Sequence, residues 1–185
     1  RDLTVSFEYG SLESLEKQLK AHGGQVAAVA LEPLGAVSTD GSYLKSLIAL
    51  THEHGALVIF DETVSGFRVG LAGAQGLYSV EPDLSTFGKA IANGYALSAL
   101  AGRRDVMELG GVRHDTARTF LMSSTYGSER VGLAAGLATI ALLEDGKIFR
   151  ENFETMRRLV SHLRAEFKRF DLEKHLVVTG LEISP

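Results

Sequence analysis

Two short apolar runs constrain this chain more than any other feature. Residues 26–31, rich in valine and alanine, stop at Glu32-Pro33, and Ala56-Leu57-Val58-Ile59-Phe60 stops at Asp61-Glu62. Runs of that length with turn formers at their ends read as buried strands. Helical spacing lies around them. Ser11 can cap a helix with Leu12, Leu15 and Leu19 on one face, ended by Gly23-Gly24. Tyr43, Leu44, Leu47, Ile48 and Thr51 repeat at the same spacing up to Gly55. A loop with Gly66, Gly70, Gly73 and Gly76 follows the second strand. Pro82-Asp83 opens a third strand over 84–87, Gly88-Lys89 closes it, and 97–102 gives a fourth. Asp105 is expected to cap a short helix around Val106-Met107, before a polar, irregular stretch from Gly110 to Tyr126. An Ala- and Leu-rich helix is expected from Ser128 to about Leu143, buried on most sides. A long amphipathic helix over 148–170 follows, with Phe153, Met156, Leu159, Val160, Leu163 and Phe167 on one face, then a last strand over 176–178. Strands alternating with helices predict an α/β domain with a mostly parallel sheet flanked by helices.

Several function classes fall away on composition. The chain has 185 residues, which at roughly 150 per domain means one large domain, or one with part of another. A formal charge of −4 gives no bulk attraction to nucleic acid or to an anionic membrane. There is no cysteine, which excludes disulfides, thiolate metal sites and cysteine nucleophiles. No run reaches the ~18 apolar residues of a membrane span, and a cytoplasmic location is expected. Arg1-Asp2-Leu3-Thr4 is neither an initiator methionine nor a signal peptide, and the last residues read like a strand entering a turn. Both ends are therefore expected to continue into a longer protein.

In parallel sheets ligands sit beyond the carboxyl ends of strands. Asp61 and Lys89 both lie at such ends, 28 residues apart, about one β-α-β unit. Singly, an acid there caps a helix and a lysine is solvated. Lys89, however, directly follows Phe87-Gly88 after an apolar strand, an unusual place for a solvated lysine. Nucleotide hydrolysis would suit Asp61-Glu62 but needs GxxxxGK[ST]. Here Ala90 follows Gly88-Lys89, and Asp83 stands where the first glycine belongs. The glycines from Gly70 to Gly76 have the wrong spacing for a dinucleotide site. His52 and His54, two apart near a helix end, cannot share a helical face and are expected to meet terminal carbonyls; no histidine has a convincing metal-ligand partner. Pyridoxal-phosphate chemistry gives the pair a specific logic. A lysine amine forms a Schiff base with the cofactor aldehyde. A carboxylate against the pyridine nitrogen keeps it protonated, so that the ring can accept electrons. Each pKa unit of that protonation is worth ~1.4 kcal/mol.

Three segments carry a resemblance. Phe60-Asp61-Glu62-Thr63-Val64-Ser65-Gly66-Phe67-Arg68 resembles the FDEVxTGFR segment of class III, fold-type I, aminotransferases. Pro82-Asp83-Leu84-Ser85-Thr86-Phe87-Gly88-Lys89 resembles their PDLxTxGK segment. Thr125-Tyr126-Gly127-Ser128, then Ala134-Ala135-Gly136, resembles their T-x-S-G-N-P…A-A segment. Arg68-Val69, Gly73-Ala74-Gln75 and the run from Gly102 to Met107 are most similar to the glutamate-1-semialdehyde aminomutase branch.

The resemblance implies the following. Lys89 is the Schiff-base lysine and proton shuttle, and Asp61 is the partner of the pyridine nitrogen. Thr63 stands where the family usually packs a valine on the ring. Thr125 binds the cofactor phosphate of the neighbouring subunit in a homodimer, helped by backbone N–H groups at the start of the helix that follows. Residues 1–145 belong to the cofactor-binding large domain, and 146–185 to a linking helix and the start of a C-terminal small domain. The substrates are a small-molecule amino donor and a carbonyl acceptor, with no nucleic acid or membrane partner. The activity is an aminotransferase, with glutamate-1-semialdehyde 2,1-aminomutase as the alternative and a non-catalytic remnant as the alternative of another class. The family's GNP is replaced by Ser128-Glu129-Arg130, which puts an acid near the phosphate end. The resemblance covers nearly the whole chain but only the middle of the family's length.

Overall fold

The computed structural model describes residues 3–35, 40–111, 117, 127 and 129–179. Helix α1 spans Leu12–Ala21, and Ser11 caps it by accepting the Ser14 N–H at 3.1 Å. Strand β1 is Ala28–Leu31. Helix α2, Gly41–Glu53, starts on Asp40, whose Oδ1 accepts the Tyr43 N–H at 2.9 Å. Strand β2 is Leu57–Asp61, helix α3 is Gly73–Tyr78 and strand β3 is Leu84–Phe87. A single 3-10 turn, Lys89–Ile91, leads to strand β4, Ala99–Gly102. Helices α4, α5 and α6 are Arg104–Met107, Arg130–Leu143 and Lys147–Arg169.

The four strands form one sheet in the order β1-β2-β3-β4. The first three run parallel, and β4 returns antiparallel beside β3. The sheet is thus mostly parallel and carries helices, the α/β architecture expected. Its core lies on one face, where Leu15 and Leu19 of α1 and Leu44 and Leu47 of α2 meet Val29, Leu31, Val58 and Phe60. Burial therefore alternates along β1 and β2 instead of being complete. The two N-terminal helices pack on the same side, so the intervening positions are less covered.

Four local expectations are corrected. The glycine loop contains a helix, α3, because Glu62 binds the N–H groups at its start. Helix α4 follows Arg103, and Asp105 lies inside its first turn, bonded to the Arg103 guanidinium. Residues 176–178 form no strand. Helix α5 is apolar but not buried, with Leu137 71% and Leu142 67% exposed, since among the described elements it meets mainly α6 and the turn at Lys89. On α6 only Val160 is buried. No helix among the described residues is long and apolar enough to cross a membrane.

Candidate active site

The parallel register sets the site. Asp61, the last residue of β2, stands opposite Thr86 of β3, and Lys89 emerges three residues later. The two charges therefore share the carboxyl end of neighbouring strands. Asp61 is exposed. Its Oδ1 accepts the Thr63 N–H at 3.0 Å, a turn closed by a side chain onto the backbone two residues on. The same oxygen accepts the Thr86 hydroxyl at 3.0 Å. The adjacent Thr63 hydroxyl does most to hold the carboxyl below its ordinary pKa. The Thr63 N–H adds to it, burial opposes it, and the Thr86 hydroxyl and the Lys89 ammonium contribute smaller downward effects than burial's upward one. Asp61 is thus kept ionised beside a cation.

Lys89 occupies the left-handed region at φ +44°, a conformation that costs a non-glycine residue roughly 1–2 kcal/mol. Phe67 and Asn93, on the flanking loops, are also left-handed. Strain of this kind clusters where a side chain must be aimed. A cavity of about 370 Å³ opens beside Lys89, lined also by Arg68, Ala90, Asn93, Gly94 and Tyr95. Asp61 does not line it, so the two groups share the strand ends but not this cavity. Gly88 leaves room for Thr63, whose methyl Cγ2 would lie 3.1 Å from a Cβ placed there. Thr63 thus bonds Asp61 through its N–H and lies beside Gly88, the residue before Lys89.

Glu62 follows Asp61 in sequence and has the opposite fate. It is fully buried. Its carboxylate accepts the Ser65 hydroxyl at 2.6 Å and the Ala74 and Gln75 N–H groups at 2.7 and 3.0 Å. Gly73, at φ +62°, has no room for a Cβ beside that carboxylate. Glu62 therefore anchors the loop behind the site and is not open to a metal or substrate.

The other predicted positions divide. Thr125 lies outside the described residues. The helix start expected to suit an anion is occupied, because Glu129 caps α5 by accepting the Val131 and Gly132 N–H groups at 2.8 and 2.7 Å. His52, expected at a terminal carbonyl, instead has its Nε2 2.8 Å from Asp83 Oδ2. Two residues were given no role from sequence: Thr86, because a threonine in a strand reads as a β former, and Asp83, whose partners come from α2, β2 and the residue after β4. For Thr86 the available signal was its place near the carboxyl end of the strand that leads to Lys89.

Comparison with known proteins agrees with this fold. The model of the class III aminotransferases matches residues 5–184. A glutamate-1-semialdehyde 2,1-aminomutase of Caldivirga maquilingensis is 37% identical over 160 residues, 84% of this chain and 36% of that protein. One from Roseiflexus castenholzii is 40% identical over 152 residues, 80% of this chain and 34% of that protein. The chain thus spans little more than a third of the length of these relatives. Among solved structures, the pyridoxal-phosphate internal aldimine form of FumI from Sphingopyxis sp. MTA144 superposes with a TM-score of 0.79 at 27% identity, over 89% of this chain and 40% of that one. A Bacillus anthracis aminotransferase does so at 0.76 and 26%, over 90% and 38%. With the match running nearly end to end and the sheet superposing on such enzymes, this chain belongs to the class III aminotransferase family.

Proposed function

We propose that the protein is a pyridoxal-phosphate-dependent aminomutase of the glutamate-1-semialdehyde 2,1-aminomutase kind, to which this chain contributes the lysine and carboxylate of the cofactor site. The curated relatives carry that name, which favours it over the general aminotransferase reading of the sequence. The observation that carries the proposal is the pairing of Asp61, kept ionised, with Lys89 at the ends of adjacent parallel strands.

The residues fit the cofactor. An exposed, ionised carboxylate whose Thr63 N–H and Thr86 hydroxyl donors both sit on Oδ1 can turn Oδ2 to a pyridine N–H, with the Thr63 hydroxyl alongside. The lysine is exposed at the same strand ends, beside an open cavity. Bound pyridoxal phosphate supplies an electron sink for negative charge at the carbon bearing the amino group. Asp61 holds the proton on the pyridine nitrogen. Lys89 Nζ would hold the cofactor through its aldehyde carbon and, as the free amine, would move the proton at the reacting carbon. Thr63 packs by the ring and braces Asp61. Thr125 serves the phosphate of the partner subunit in a homodimer. In this reading residues 1–145 belong to the large domain and 146–185 begin the small one.

Full-length protein with added cofactor tests the assignment. Glutamate 1-semialdehyde supplied alone should be isomerised, its amino group moving between adjacent carbons. A strict need for a separate amino donor or carbonyl acceptor contradicts the aminomutase reading in favour of an aminotransferase. No turnover together with no covalent cofactor at Lys89 contradicts both and identifies a non-catalytic member.

A further inference from the structure

The two donors on Asp61 Oδ1 come from different places. The Thr63 N–H is local, two residues on, whereas the Thr86 hydroxyl belongs to the next strand. Thr86 is attached to this corner twice, since its carbonyl also accepts the Glu62 N–H at 2.9 Å. Its neighbour Ser85 is buried and accepts the Gln75 amide at 3.1 Å, behind the sheet where Glu62 is anchored. Strand alternation then puts Thr86 on the opposite face, with Asp61. A threonine χ1 is stiff, so two attachments fix the hydroxyl. Three residues further along the same chain is Lys89.

We propose that Thr86 is a positioning residue, whose hydroxyl pins Asp61 Oδ1 so that Oδ2 is the oxygen offered to the pyridine nitrogen, and which ties the acid-bearing strand to the lysine-bearing strand. This deepens the proposed function and rests on it. Valine is nearly the same shape and an equally good β former, so Thr86→Val removes the hydroxyl and keeps the strand. Serine restores the hydroxyl.

The test compares wild type, Thr86→Val and Thr86→Ser in the full-length protein. In cofactor-free protein, carbon NMR of the Asp61 carboxyl should show its pKa shifted upward in Thr86→Val, because the charged form loses a donor, and returned in Thr86→Ser. With ¹⁵N-labelled pyridoxal phosphate bound, the ring-nitrogen resonance should move toward the unprotonated position in Thr86→Val and return in Thr86→Ser. Turnover should fall about tenfold, the scale of one hydrogen bond to a charged group, with KM little changed. An Asp61 titration and a ring-nitrogen resonance both unmoved in Thr86→Val overturn the proposal. If cofactor bonds to Lys89 normally while those signals stay put, only the role of Thr86 fails. If no cofactor bonds to Lys89, the function fails and with it the presentation of Oδ2, whereas the Asp61 titration still decides whether Thr86 holds that carboxylate.

Discussion

Asp83 precedes β3 at the amino end of the parallel strands, and Asp61 ends β2 at their carboxyl end. Asp83 is 2% exposed, and both its oxygens are occupied. Oδ2 accepts the Val58 N–H at 2.7 Å and faces His52 Nε2 at 2.8 Å, while Oδ1 accepts from Arg103 at 2.7 Å. Asp61 is exposed; the Thr63 N–H and the Thr86 hydroxyl both fall on Oδ1, with the Thr63 hydroxyl beside the carboxylate. One carboxylate is consumed in tying α2, β2 and the end of β4 together. The other keeps an acceptor for something outside the chain. Saturation of partners, more than residue type or position on the sheet, separates a structural acid from a candidate functional one.

Substitution should divide the two poles cleanly. Asp61→Asn should cost turnover a factor of 10² or more, since electrostatic and acid–base terms are each commonly that large. It should leave the urea unfolding midpoint within the ordinary scatter of a surface change, about ±0.5 kcal/mol. Near-wild-type turnover would break the contrast. Asp83→Asn should do the reverse, destabilising by about 1–3 kcal/mol, the cost of disturbing a buried, hydrogen-bonded carboxylate whose partners His52 and Arg103 are half exposed, and a change under ~0.5 kcal/mol would place Asp83 among ordinary surface acids.

A smaller effect concerns acid. Burial pushes the Asp83 carboxyl up, but His52, the Val58 N–H and Arg103 outweigh it and hold the group below its usual pKa. A carboxyl depressed in the folded state stabilises it fully above the unfolded pKa of about 3.9. That stability is lost as pH falls through the folded pKa. The urea midpoint of the full-length protein should therefore hold near neutral pH and drop below about pH 4, and Asp83→Asn should flatten that drop. An equally steep decline in the variant would assign acid sensitivity elsewhere.

The same contrast explains what the residues disclosed in advance. Leu12, Leu15 and Leu19, and Leu44, Leu47 and Thr51, repeat at helical period, and Ser11 supplies the cap of the first helix; such local signals survive packing. The apolar runs marked β1 to β3, and the strand-end positions of Asp61 and Lys89 followed from them. Other features depended on distant partners. Helix α3 begins at a left-handed glycine and exists because Glu62, twelve residues before Ala74, satisfies its first N–H groups. The His52–Asp83–Arg103 cluster joins three elements across 51 positions of sequence. The high apolar content of α5 suggested burial, but an apolar helix is buried only where something packs on it.

The central claim is that Lys89 is the lysine that bonds the cofactor. Full-length protein incubated with pyridoxal phosphate, reduced with borohydride and mapped by peptide mass spectrometry tests it most directly. The pyridoxyl group should be found on Lys89 and be absent from Lys89→Ala. A stoichiometric label on another lysine, or none at all in folded wild-type protein, would contradict the account.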